Sequence, residues 1–197
     1  MNEIRKQIEE SIRIKQSLMG NDEIIKAIED AAEICIKAIK RGNKIMLAGN
    51  GGSAADAQHF AGELVCRFRF DRLPLPAIAL TTDTSVLTSV SNDYSFEVSF
   101  SRQVNALGKE SDILILISTS GNSPNILKAA DEARNKKITV IGLTGETGGK
   151  LKYSCDIAIR VPSDDTPRIQ ECHILIIHIL CGLIENGLFA KNKNNSF

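Results

Sequence analysis

No C-x-x-C pair occurs in the chain, and its five cysteines (Cys35, Cys66, Cys155, Cys172, Cys181) are scattered and odd in number. That spacing favours buried free thiols in a reducing cytoplasm over a disulfide framework or a zinc–thiolate site. Charge of one sign is not in excess either: 24 Lys and Arg face 24 Asp and Glu, a formal net charge of zero. A global nucleic-acid footprint is therefore absent. Long hydrophobic runs are missing too. The longest, Ile174 to Ile184, is about half of the roughly 20 residues a membrane span requires, and His178 interrupts it. Residues Met1 to Gln16 are charged throughout, without the apolar region of a signal peptide. These absences predict a cytoplasmic protein that engages neither nucleic acid nor membrane. With no internal repeat and no linker, the 197 residues read as one domain with a sizeable core. Its parts are N-terminal helices over 1–42, an α/β core with a C-terminal helix over 43–190, and a polar tail over 191–197 expected to be mobile.

What is present is alternation. Ile4, Ile8, Ile12 and Lys15 trace a first amphipathic helix up to Gly20. Asn21-Asp22 can cap a second, with Ile24, Ile25, Ile28, Ala31, Ala32, Cys35 and Ile39 inward and Gly42 as its stop. Two helices ahead of the first strand offer more apolar face than one subunit covers, which points to a partner copy. From Lys44 onward, strands are expected at Ile45–Ala48, Ala77–Leu80, Ile113–Ile117, Thr139–Leu143 and Ile157–Val161. Helices are expected at Ala54–Phe68, Thr84–Val90, Phe96–Leu107 and Ile126–Lys136, with a short turn near Gly149–Tyr153. Several strands are apolar throughout, as in Ile113-Leu114-Ile115-Leu116-Ile117, the mark of a sheet covered on both faces. The reading is an α/β fold, a five-stranded parallel sheet sandwiched by helices.

Ligands of such sheets bind beyond the carboxyl ends of the strands. After the first strand stands Asn50-Gly51-Gly52-Ser53, a glycine break where a ligand can approach the backbone and where Ser53 is a good N-cap. It is neither a Walker loop nor G-x-G-x-x-G. On the helix that follows, His59 and Glu63 are four residues apart and share a face. After the second strand come Thr81-Thr82-Asp83 and, beyond one short helix, Asn92-Asp93. The third loop, Ser118-Thr119-Ser120-Gly121-Asn122-Ser123-Pro124, carries the clearest signal: four hydroxyls within six residues, with Ser123 and Pro124 matching the N-cap and N1 positions of a new helix. Hydroxyls, backbone N–H groups and a helix dipole converge there on an anion, most naturally a phosphate monoester. No lysine lies in the loop, so neutral donors would do the binding.

The last helix begins after Asp164-Asp165-Thr166-Pro167 and runs to about Leu188. His178 sits in its apolar run, where a lone histidine is commonly a core residue whose unpaired burial would depress its pKa. Gln170 and His178 differ by about 80° around that helix and roughly 12 Å along it. They meet one ligand only by leaning together or by coming from different subunits.

The glycine loop, the His59/Glu63 pair, Ser118-Thr119-Ser120-Gly121-Asn122-Ser123 and Arg168-Ile169-Gln170-Glu171 with His178 together resemble the sugar isomerase (SIS) domain family, and within it the phosphoheptose isomerases. The resemblance runs from the first helix to about Leu188. It implies a flavodoxin-like fold with N-terminal helices and a homotetramer with active sites between subunits. The implied reaction converts sedoheptulose 7-phosphate to D-glycero-D-manno-heptose 7-phosphate, on the way to ADP- or GDP-heptose for lipopolysaccharide or capsule. It also implies that Ser118, Thr119, Ser120 and Ser123 hold the phosphate, while Asn50, Gly51, Gly52, Ser53, Glu63, Arg67, Asn92, Asp93 and Gln170 contact the substrate. Glu63 and His178 would be the acid/base pair, and His59, Glu63, Gln170 and His178 the ligands of one zinc ion per subunit. Some members carry an acidic residue directly before the arginine of R-I-Q-E; here Pro167 stands there, with Asp165 two positions earlier. Two other readings share the loops: a non-enzymatic SIS-domain regulator that binds the replication initiator, and an isomerase or lyase acting on another sugar phosphate. The regulator lacks the residues that match Glu63 and His178, and both are present here.

Overall fold

The computed structural model describes residues 2–190, so the expectation for the 191–197 tail lies outside them. Two helices, α1 (Glu3–Met19) and α2 (Asp22–Lys40), precede the first strand. Each starts on an asparagine side chain: Asn2 accepts from the Ile4 N–H and Asn21 from the Ile24 N–H. This satisfies one donor that a helix start leaves open. The chain then alternates through β1 (Ile45–Gly49), α3 (Gly52–Val65), β2 (Ala77–Ala79), α4 (Thr84–Asp93), α5 (Ser99–Leu107), β3 (Ile113–Ile117), α6 (Pro124–Asn135), β4 (Thr139–Thr144), β5 (Ile157–Arg160) and α7 (Thr166–Phe189). Short 3₁₀ turns at Phe96–Val98 and Leu151–Tyr153 complete the path.

All five strands pair in parallel, in the order β2-β1-β3-β4-β5. Ile45 lies beside Ile113 and Ile113 beside Thr139. This is the flavodoxin-like order, in which the chain reverses direction along the sheet between β1 and β3, leaving a crevice above their carboxyl ends. One face buries Ile45, Leu47, Ile113, Ile115, Ile117, Ile141 and Leu143 against α2, α3 and α7. The other buries Met46, Ala48, Leu114, Leu116 and Val140 against α5 and α6. Alternate residues of the apolar strands thus serve two cores, which is why β1 and β3 show no polar position.

Several bounds differ from the sequence reading. The helix after β1 starts at Gly52, capped by Gly51 at φ +56°, not by Ser53. Ser53 is buried in its first turn because the Asn50 carbonyl already accepts the Ser53 N–H, which winds the helix two residues early. Asn92 and Asp93 are not a loop but the last residues of α4. Ile25 is exposed, and Ala38 takes the inward place on α2. The first helix leaves Ile4, Ile8 and Ile12 exposed at 66%, 55% and 50%. Polar links hold it to α7, Ser11 bonding to Glu171 and Arg168 to the Gln7 carbonyl. Taken whole, α7 is long and apolar enough to cross a membrane, which the shorter Ile174–Ile184 run did not reveal. Half of that stretch is buried within the fold, packed on the sheet with α2 and α3.

Candidate active site

The crevice above β1 and β3 is built from two loops tied together by one amide pair. Asn50 and Asn125 exchange two hydrogen bonds, each side-chain nitrogen donating to the other's oxygen at 2.9 Å. Asn125 lies in the first turn of α6 and is buried. The glycine loop and the serine loop are thereby fixed to each other.

The serine loop folds back on itself. The Ser118 hydroxyl accepts from the Gly121 N–H at 3.2 Å and stands 3.5 Å from the Ser123 hydroxyl. Ser120 Oγ accepts from the Asn122 N–H, and the Thr119 carbonyl accepts from the Gly145 N–H. Gly121 adopts φ +63°, and a Cβ there would fall 2.1 Å from the Gly148 carbonyl oxygen, so only glycine allows the β4 loop to pass so close. Ser123 and Pro124 take the N-cap and N1 places of α6, although the Ser123 side chain makes no capping bond.

Helices α3 and α7 lie side by side and run in the same direction. At their starts, the Gln170 amide covers Gly52, where a Cβ would sit 2.5 Å from Nε2. Two turns further on, His59 Nε2 meets His178 Nε2 at 2.9 Å, and Glu63 Oε1 lies 3.4 Å from His59 Nε2. One atom from each of these three residues lies within 4.8 Å of the others. Phe68 stacks on the His178 ring at 5.7 Å between centroids. His178 is half-buried; the core histidine of this helix is His173, fully buried, its Nε2 3.2 Å from the Thr144 carbonyl. Burial pushes the His173 imidazole down to about 4.

The remaining sequence candidates stand apart. Gln170 is more than two turns, roughly 12 Å along α7, from His178 of the three-residue cluster, so one chain does not gather all four expected metal ligands. Arg67 is exposed just beyond α3, and Asn92 and Asp93 are exposed at the end of α4, bonded to each other at 2.8 Å. Sequence reasoning missed Asn125, Phe68 and Asp56. Asp56 shares the α3 face of Gly52, His59 and Glu63; the i, i+3/i+4 ladder was its available signal. Burial raises its carboxyl, with His59 partly opposing, and its Oδ2 is buried without a hydrogen-bond partner.

Two imidazole nitrogens and a carboxylate oxygen form a donor set suited to zinc. Ligands about 2.05 Å from a tetrahedral ion stand roughly 3.3 Å apart, close to the 3.4 Å of His59–Glu63 and slightly wider than the 2.9 Å of the histidine pair. The residues fit such an ion after a small opening of the two rings. As to thiols, Cys35, Cys172 and Cys181 are buried, and burial pushes Cys35 and Cys155 up to about 12.

Residues 10–145 match the SIS domain. The phosphoheptose isomerase of Aneurinibacillus thermoaerophilus is 55% identical over 190 residues, covering 96% of each chain. That of Burkholderia pseudomallei is 53% identical, covering 95% of each. The solved phosphoheptose isomerase of Francisella tularensis superposes with a TM-score of 0.90 at 44% identity, over 94% of this chain and 97% of the other. Such likeness runs along nearly the full length of each chain, and the chain belongs to the SIS-domain family and, within it, to the phosphoheptose isomerases.

Proposed function

We propose that the protein interconverts sedoheptulose 7-phosphate and D-glycero-D-manno-heptose 7-phosphate in the cytoplasm, supplying a heptose for lipopolysaccharide or capsule. The observation that carries this reading is the cluster of His59, Glu63 and His178 on the paired helices α3 and α7. Moving a carbonyl between C1 and C2 requires one group to carry a proton between the carbons and another to serve the oxygens, through an enediolate. A carboxylate and an imidazole suit those tasks near neutral pH. Glu63 and His178 are assigned as that pair. Ser118, Thr119, Ser120 and Ser123, with the start of α6, are assigned to the phosphate. Asn50, Gly51, Gly52, Ser53, Gln170, Arg67, Asn92 and Asp93 are assigned to the sugar.

A zinc ion held by His59, Glu63 and His178 would supply polarisation of the substrate carbonyl. Gln170 is the proposed fourth ligand, and its place over Gly52 means that it would come from another copy of the chain. The exposed Ile4, Ile8 and Ile12 stripe supports that assembly, a homotetramer with sites shared between subunits. Incubating purified protein with a panel of C6 and C7 sugar phosphates, and following products by NMR, tests the substrate. Turnover confined to C6 substrates would replace the heptose reading. Elemental analysis of protein prepared without chelator should give one zinc per subunit, lost in His59→Ala with the circular-dichroism spectrum unchanged. Metal-free protein with full activity would leave His59 a substrate-orienting residue.

A further inference from the structure

We propose that Glu185, acting through Arg72 and Phe68, positions both members of the acid/base pair, an inference that rests on the proposed isomerase reading. Glu185 is a carboxylate in the apolar second half of α7, and its side chain and that of Arg72 are only 1% and 2% exposed. A charge so buried is costly unless paired and hydrogen-bonded. It is fully engaged: Oε1 accepts from the Phe68 N–H at 2.9 Å and from Arg72 Nε at 3.0 Å, and Oε2 accepts from the Arg69 N–H at 2.9 Å.

Both arms of this network end at the site. Arg72 turns its remaining donors onto the end of α3, where a helix leaves its last carbonyls without partners. Nη2 donates to the carbonyl of Glu63 itself at 2.8 Å, and Nη1 to that of Leu64 at 2.7 Å. The backbone that carries the Glu63 carboxylate is thus pinned from below by a guanidinium that Glu185 orients. The second arm is shorter. Glu185 holds the Phe68 N–H, and the Phe68 ring lies 28° from the plane of the His178 imidazole, its centroid 5.7 Å away. His178 and Glu185 are seven residues apart on α7, so they share one helix face. The carboxylate fixes the segment after α3 against the same face that presents the imidazole. An ion pair serving only the core would need neither the Glu63 carbonyl nor an aromatic ring beside His178.

The test compares Glu185→Gln, Arg72→Lys and Phe68→Leu with the wild type and with Glu63→Gln. Arg72→Lys keeps the charge facing Glu185 but cannot span to two carbonyls. Phe68→Leu leaves every Glu185 bond in place, since Glu185 holds the backbone N–H of residue 68 and its other two bonds go to Arg69 and Arg72, and so stays informative if Glu185→Gln fails to fold. For each folded variant kcat should fall about 10- to 100-fold, as for lost outer-shell partners of a reactive site. KM for the sugar phosphate should stay within about twofold, because the serine loop is untouched. The chain has three histidines, so the His178 ring signals can be assigned by NMR; they should move in Phe68→Leu and Glu185→Gln. Lowered melting temperatures with wild-type kcat and unmoved His178 signals would make the network purely structural and overturn the inference. A wild type that fails to isomerise the sugar phosphate would refute the isomerase reading instead, and a fully active Glu63→Gln would refute the acid/base role of Glu63. The His178 signals still decide the positioning role in that case.

Discussion

Glu63 and His178 come from helices more than a hundred residues apart in the sequence, yet each lies within reach of the same His59 nitrogen. If they exchange protons with one substrate, Glu63→Gln and His178→Ala should each lower kcat by about 10²–10⁴. The double variant should be little worse than either single one, because residues that act as a unit are not additive. Steady-state kinetics decide this, and wild-type kcat in Glu63→Gln would remove the mechanism. The hydroxyls of the serine loop make a separate case. Ser118 Oγ already serves the Gly121 N–H, so replacing it would disturb the loop itself. Ser120→Ala with Ser123→Ala spares that bond, losing only the acceptor that Ser120 Oγ offers the exposed Asn122 N–H, while removing two donors to the anion. The pair should raise KM strongly, since a hydrogen bond to a charged group is worth roughly 1.5–3 kcal/mol, and should leave kcat nearly unchanged. Equal turnover of sedoheptulose with and without its phosphate would deny the loop its anchoring role.

At the scale of elements, the sequence was readable wherever one periodicity dominated. Ile113 to Ile117 is apolar at every position because both sheet faces are covered, and β3 has the bounds its pattern suggested. The start of α3 was misread because Ser53 is a better cap by residue type than Gly51; the backbone turn at Gly51, with φ +56°, outweighed that preference. The ion pair of Arg72 and Glu185 could not be seen at all, since nothing local couples residues so far apart. Asp112, at the entrance to β3, is similar: it accepts from Asn43, from the Lys44 and Lys109 N–H groups and from the Lys44 ammonium. Burial alone would raise both carboxyls, but these bonds outweigh it and hold Asp112 and Glu185 below their ordinary values of 3.8 and 4.5. A carboxyl depressed by folding stabilises the fold fully above its ordinary value and loses that contribution as pH falls through the depressed one. The urea midpoint should therefore fall steeply below about pH 4.5, on top of an earlier decline that begins near pH 6.5, where the unfolded chain starts to protonate His173 while the folded chain holds its imidazole at about 4. Asp112→Asn should be less stable at neutral pH and flatter in acid; a variant with the wild-type acid slope would absolve Asp112.

For the whole molecule, we propose from the exposed stripe of α1 that several copies of the chain assemble. Light scattering should find an oligomer at micromolar concentration, and Ile8→Asp should dissociate it; a stable, active monomer would end that expectation. The sheet order has a further consequence, for the sequence of events in folding. Pairing β1 with β3 closes about 70 residues of chain, whereas pairing β3 with β4 closes about 25. The longer closure costs about 0.9 kcal/mol more in chain entropy, and the excluded segment includes α3 with His59 and Glu63. Non-local closures of this kind slow folding. The β3–β4–β5 half should assemble first, and the helix that carries the chemistry should dock late. Pulse-labelled hydrogen exchange during refolding should find the amides of Ile115 and Ile141 protected before that of Leu47. Simultaneous protection would mean that the sheet closes in a single step.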